Sequence, residues 1–168
     1  MFEQQFKVSI NKLLFVLIIF VFLITVACGV ISPPQSLDKD AAIPLVKITV
    51  TRVVDGDTVI ALFPDGSEDR VRFIGVDTPE TKHPTRPVEY FGKEADAFTR
   101  AHLEEREVWL ELDVGERDQY DRVLAYVWLT PPEQLTDQII RDEMFNARLL
   151  LEGYAQMVTF PPNVKYVD

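Results

Sequence analysis

The chain has 168 residues, 47% of them hydrophobic and 26% charged, which suits one globular domain and excludes both an unfolded polyelectrolyte and a large multidomain assembly. Its single cysteine excludes an intramolecular disulfide. Glu3, Lys7 and Lys12 leave the first 27 residues at +1, so the remainder carries −11 against a total of −10; so acidic a domain excludes tight, purely electrostatic binding of a polyanion unless positive charge is concentrated locally or supplied by a metal.

Lys7 and Lys12 precede residues 13–27, an uncharged apolar run of fifteen residues. At 1.5 Å per residue this run reaches roughly 22 Å, short of the ~30 Å hydrocarbon core, and its basic flank and small-residue end suit an export signal. Cys28 follows directly, a position that resembles a lipoprotein processing site, although Thr25 stands where such sites usually carry an aliphatic residue. An ordinary signal peptide or an uncleaved anchor is the alternative. The expected organisation is a signal peptide with a lipidated Cys28 over 1–28, a flexible polar tether over 29–44, and a folded domain over 45–168 that works outside the cytoplasm, in the cell envelope or secreted.

From Val46 the pattern becomes β-branched and alternating. Residues 46–54, 58–63 and 70–76 predict three consecutive antiparallel strands. Residues 77–87 carry three prolines and predict an exposed loop. Phe91, Ala95, Phe98, Ala101 and His102, with Leu103 on the edge of the stripe, predict a helix over about 89–105. Residues 108–112 and 123–129 predict two more strands joined by a charged turn, and Asn146 is expected to cap a short helix through Leu151 that stops at Gly153. Five short strands with a helix after the third make an α+β domain; a small OB-type barrel is one such fold, and pattern alone leaves others open.

The chemistry-bearing residues fall in three short stretches. Asp57 and Asp77 are carboxylates that can hold a hard cation, Glu80 can take a proton from water, and Arg72 and Arg122 can present paired N–H donors to phosphate. Together they are the parts that phosphodiester hydrolysis needs. Each has a plainer reading: Asp55-Gly56-Asp57 as a turn, Glu80 as a solvated loop carboxylate, Arg72 as a surface ion pair, and Arg122 as a partner of Asp118 or Asp121. Asp55 is read as a turn residue that adds negative charge behind the ligands.

Taken in order, Asp57, residues 71–80 and residues 120–126 resemble the thermonuclease family, the staphylococcal nuclease-like domains, from about Val46 to the chain's end. The resemblance implies a five-stranded OB-type β-barrel with short helices, and a calcium-dependent nuclease that acts on DNA, RNA or both and leaves 3′-phosphorylated products. It implies that the Thr78 carbonyl joins Asp57 and Asp77 as a calcium ligand. Glu80 becomes the general base, Arg72 and Arg122 the catalytic arginines, and Tyr120 a residue that contacts the phosphate or stacks near it; His83 receives no role. Gln119 and Asp121 depart from the prototype's lysine and glycine, and Phe160 stands where a base-packing tyrosine is expected. Family members continue past residue 166 into a covering helix, so a domain without that helix is expected, either naturally minimal or truncated at its C-terminus. A monomer with no protein partner, membrane-bound through the lipid anchor, completes the reading. The alternative is a weak or inactive nucleic-acid-binding or interaction module on the same barrel. A structural calcium-binding envelope protein would leave both arginines unexplained.

Overall fold

The computed structural model describes residues 43–81 and 89–167; the signal segment, Cys28, most of the tether and His83 lie outside the described residues. Strand β1 (Leu45–Asp55) pairs antiparallel with β2 (Thr58–Leu62) along one edge and with β5 (Glu107–Arg117) along the other. Irregularities at Val50/Arg52 and Val53/Asp55 let this long strand curve between its two neighbours. β2 continues antiparallel to β3 (Glu68–Phe73), and β5 pairs antiparallel with β6 (Val123–Trp128). Parallel pairing of β3 with β6 closes a five-stranded barrel in the order β1-β2-β3-β6-β5. The expected α+β, OB-type barrel is therefore the fold.

Alternation sends Val59, Ala61, Val71, Phe73, Leu110, Ala125 and Val127 inward. Leu103 of helix α1 (Gly92–Leu103), with Phe145 and Leu149 of a later short helix, completes that core. Tyr126 and Trp128 point the other way from β6 and join Ile74 and Met144 in a second apolar cluster. Buried Glu111 is satisfied there by Trp128 Nε1 at 2.7 Å, the Tyr166 hydroxyl at 3.0 Å and an ion pair with Lys165. Asn163 adds two hydrogen bonds to the backbone of Gly115, at 2.7 and 2.8 Å. The C-terminal segment is thus fastened along β5.

Several boundaries differ from the sequence expectation, each for a local reason. The third strand stops at Phe73 because Gly75 takes the left-handed conformation (φ 79°), and β4 (Val76–Asp77) instead pairs with β7 (Gln156–Met157) in a separate ribbon. The first helix starts only at Gly92, since Phe91 has φ 70°. Its buried face is Gly92, Ala95, Thr99 and Leu103; Ala101 is exposed, and Phe98 and His102 form the shoulder of the stripe. β5 runs on to Arg117, five residues past the predicted end at Leu112.

Helix α2 (Asp137–Glu143), capped by Thr136 Oγ1 accepting from Ile139 N at 3.2 Å, was not anticipated. Its weak apolar periodicity hid it. Asn146 is not a cap: it lies inside α3 (Phe145–Leu151), buried, where it accepts from Val127 N at 2.8 Å and donates to the Ile74 carbonyl at 2.8 Å. It ties the helix to the barrel and to the turn that leads into β4. Gly153 (φ 76°) ends α3 as expected.

Candidate active site

Arg72 is the centre of the site. The β3 alternation that buries Val71 and Phe73 leaves Arg72 on the opposite face, in parallel register with Leu124. Its Nη1 donates to the carbonyls of Phe73 (3.0 Å) and Val76 (2.8 Å), which holds the tight turn into β4. Its Nη2 lies 3.2 Å from Asp57 Oδ2 and 2.9 Å from Asp77 Oδ1. One cationic group therefore bridges the two carboxylates that the sequence singled out, although Asp57 lies in the β1–β2 turn and Asp77 in β4. The plain reading of Arg72 as a surface ion pair is half right: it is paired, but 13% exposed.

Asp57 is buried and held on all sides. Thr78 donates to its Oδ2 from the backbone N (2.9 Å) and from Oγ1 (3.0 Å), while Thr58 Oγ1 donates to Oδ1 at 3.0 Å. The turn that carries it is packed too closely for a side chain: a Cβ on Gly56 would stand 2.8 Å from Thr78 Oγ1. Thr99, buried on α1, donates to the Gly56 carbonyl at 2.5 Å and pins the turn from behind. Spacing gave no warning of this role, but a threonine on the buried face of a helix was the signal available.

The Asp55 carboxylate accepts from Gly56 N and Thr81 Oγ1, each at 2.9 Å. Burial, the Glu80 carboxyl and the charge of Asp57 outweigh those hydrogen bonds and push Asp55 up to about 6. Burial also raises Asp77, and the charges of Asp57, Glu89 and Glu80 add to it against the opposing pull of Arg72. Glu80 is fixed by Glu89, which the sequence reading passed over: Glu80 N donates to Glu89 Oε2 (3.1 Å), and Glu89 N donates back to the Glu80 carbonyl (2.9 Å). Among the described residues, Asp55, Asp57, Asp77, Glu80 and Glu89 thus act on one another, while Arg72 pairs with Asp57 and Asp77, a local excess of negative charge that favours a cation.

The donors fit a hard divalent ion. Asp57 and Asp77 both reach one cation, here the Arg72 guanidinium, Thr78 adjoins them, and calcium takes carboxylates, backbone carbonyls and water in irregular geometry. Among the described residues no group of three or more His, Cys, Asp or Glu side chains forms a ready metal cage. The protein contribution would be small and water would complete the shell.

A cleft of about 300 Å³ opens beside these groups, with Arg72, Asp77, Tyr120, Arg122 and Phe160 on its wall. The parallel register that sets Val123 against Val71 brings Arg122, just before β6, to this end of β3. Asp118 builds the intervening turn, accepting from the backbone N of Tyr120 (2.9 Å) and of Arg122 (3.0 Å) and from Arg122 Nε (2.7 Å). Burial pushes Asp118 up, but these bonds and the Arg122 charge prevail and hold it below the usual carboxylate range. The Arg122 guanidinium also lies 5.3 Å from the centre of the exposed Tyr120 ring.

Asp121 occupies the left-handed conformation (φ 61°) that an aspartate tolerates, and its side chain reaches Arg117 Nη1 at 3.4 Å rather than the cleft. Its extra negative charge therefore pairs with Arg117 and is not on the cleft wall. Gln119 does line the cleft, and so does Phe160, carried there by the segment fastened at Asn163 and Tyr166.

Residues 70–168 match the family described as staphylococcal nuclease homologue. The chain belongs to that family. It is 50% identical over 117 residues to the thermonuclease of Staphylococcus intermedius, covering 70% of this chain and 62% of that protein. It is 48% identical over 119 residues to the thermonuclease of Staphylococcus hyicus, covering 71% and 63%. Against endonuclease YncB of Bacillus subtilis (strain 168) identity is 36% over 126 residues, covering 74% and 54%. The chain of this staphylococcal nuclease homologue spans less than two thirds of the length of each of these relatives.

Proposed function

We propose that this staphylococcal nuclease homologue is an exported, calcium-dependent nuclease that hydrolyses phosphodiester bonds of DNA, RNA or both. The observation that carries the reading is the position of Arg72, whose Nη2 sits between Asp57 and Asp77 on the wall of the cleft that Tyr120 and Arg122 also line. Membership of a family whose relatives are named thermonuclease and endonuclease supports it.

Asp57, Asp77 and the Thr78 carbonyl would hold the calcium ion. When bound, that ion neutralises phosphate charge and acidifies water. Arg72 and Arg122 donate to the phosphate oxygens and stabilise the charge that builds as water attacks. Glu80 accepts a proton from the attacking water, the new bond forms between that water's oxygen and phosphorus, and the bond to the 5′ oxygen breaks, that oxygen taking a proton from solvent to leave a 3′-phosphate and a 5′-hydroxyl. Tyr120 positions the nucleotide beside Arg122. The surface charge of −11 outside the first 27 residues disfavours long residence on product, which suits a turnover enzyme better than a binding module.

Export rests on the basic flank and the apolar run over 13–27, and lipid anchoring on Cys28 directly after Ala27. Cys28→Ser should move the protein from the membrane fraction to a soluble or unprocessed form with the nuclease domain still active. Unchanged fractionation and unchanged lipid content by mass spectrometry would leave an ordinary signal or uncleaved anchor.

The experiment for the reading as a whole is incubation of the purified protein with plasmid and with RNA, in calcium and then in chelator. Cleavage confined to calcium, ending in 3′-phosphates, is expected. Binding without cleavage in either condition would make the chain an interaction module.

A further inference from the structure

A second aromatic surface stands on the other side of Asp77. That residue lines both the Tyr120–Phe160 cleft and a second one of about 180 Å³ that contains Phe91 and Tyr154. Next to Phe91 in the chain, Tyr90 is 93% exposed, and its ring centre is 6.1 Å from that of Phe91 with 31° between planes. Phe91 stacks on Tyr154 (5.5 Å, 16° between planes), which stacks on Phe98 (4.3 Å, 25°). Phe91 thus rests on an aromatic base, and Tyr90 extends it into solvent.

The backbone that carries this pair is strained and bolted to the catalytic loop. Phe91 takes φ 70°, a conformation that bulky side chains seldom adopt and that persists where surroundings enforce it. Enforcement comes from Glu89, hydrogen-bonded in both directions to Glu80, and from Gly92, where a Cβ would stand 2.7 Å from Thr81 Cγ2 and 2.9 Å from the Pro79 carbonyl. Tyr90 therefore follows directly the residue that fixes Glu80.

We infer that Tyr90 and Phe91 form a stacking platform for an unpaired nucleobase on the side of the scissile phosphate away from the Tyr120–Phe160 cleft. The inference rests on the nuclease reading for its placement relative to that phosphate. An exposed π-face takes any base without reading its edge, and the acidic Glu89 alongside turns away a phosphate while leaving a neutral base unopposed. A paired base, stacked within a duplex, does not reach it.

The test uses the full chain with calcium and a single-stranded oligodeoxynucleotide carrying 2-aminopurine, scored by dissociation constant on a phosphorothioate version and by kcat/KM on the cleavable one. Tyr90→Ser is expected to weaken binding and kcat/KM by about 5- to 150-fold, the span that loss of one base stack covers. Tyr90→Phe should restore both, because the ring and not the hydroxyl carries the contact. An abasic nucleotide at the platform position should remove the difference between Tyr90→Ser and the parent. Equal binding by Tyr90→Ser and parent, no rescue by Tyr90→Phe, or an undiminished loss on the abasic strand would overturn the platform. Tight binding with no cleavage would refute the nuclease reading alone, and the dissociation constants would still decide the platform; no binding at all would refute both.

Discussion

Arg72 and Asp57 form a nearly buried ion pair, 3.2 Å apart with side chains 13% and 9% exposed. The same guanidinium reaches Asp77 and two backbone carbonyls, so both of its Nη atoms are engaged. Lysine at this position keeps the charge and loses the fork. Arg72→Lys is expected to lower kcat by about 10² to 10³-fold, the scale for losing a preorganised donor at a developing charge. A kcat equal to the parent's would reduce Arg72 to a source of bulk charge.

The two carboxylates should separate in stability while agreeing in activity. Asp57→Ala strips a partner from Arg72 and from both donors of Thr78, and removing one member of a buried pair costs about 3 to 5 kcal/mol. Asp77 is 61% exposed, so Asp77→Ala should change stability by about 1 kcal/mol or less. Urea unfolding in chelator measures the difference. Calcium-dependent cleavage should vanish in both variants, and full activity sustained by Asp55 in the Asp57→Ala protein would contradict the ligand assignment.

Glu80→Gln keeps the size of the side chain and loses its basicity. Calcium affinity by calorimetry should stay close to the parent's while turnover falls by about 10² to 10⁴-fold, the usual range for a general base. An unchanged turnover number would take Glu80 out of the reaction.

How far the sequence carried is clearest at particular residues. Residue type and order singled out Asp57, Arg72 and Asp77, and the structure brings the three side chains together, although alternation could have put Arg72 on either face of its strand. Alternation made the strand pattern around Val59, Val71 and Ala125 legible. Gly75 was harder: its left-handed turn breaks what reads as one continuous strand, and the pairing of Asp77 with Gln156 depends on a segment some eighty residues away. Asn146 reads locally as a cap and is used instead across the fold, bridging α3, β6 and the Ile74 turn. Thr99 and Glu89 serve the site through contacts at separations of 43 and 9 residues, which no periodicity encodes.

Asp55 supplies a pH dependence whose sign is opposite to that of a salt-bridged carboxylate. Its folded value is about 6 against an ordinary 3.8, so between about pH 4 and pH 6 the folded protein binds more protons than the unfolded chain. Stability contributed by this group therefore falls as pH rises through that window. Asp55→Asn keeps the oxygen that accepts from Gly56 and Thr81 and removes the charge. In chelator its Tm should exceed the parent's at pH 7, with the two converging near pH 4; a constant difference across the range would contradict the assignment.

The most direct measurement compares the calcium dependence of turnover with the calcium dissociation constant, in the parent and in Asp77→Asn. If Asp57 and Asp77 hold the ion that the reaction uses, half-maximal turnover in the parent falls at its dissociation constant. Asp77→Asn then weakens both in step, by about tenfold or more for the loss of one charged ligand. Turnover that ignores calcium, or that survives Asp77→Asn at the parent's half-saturation point, would contradict the account.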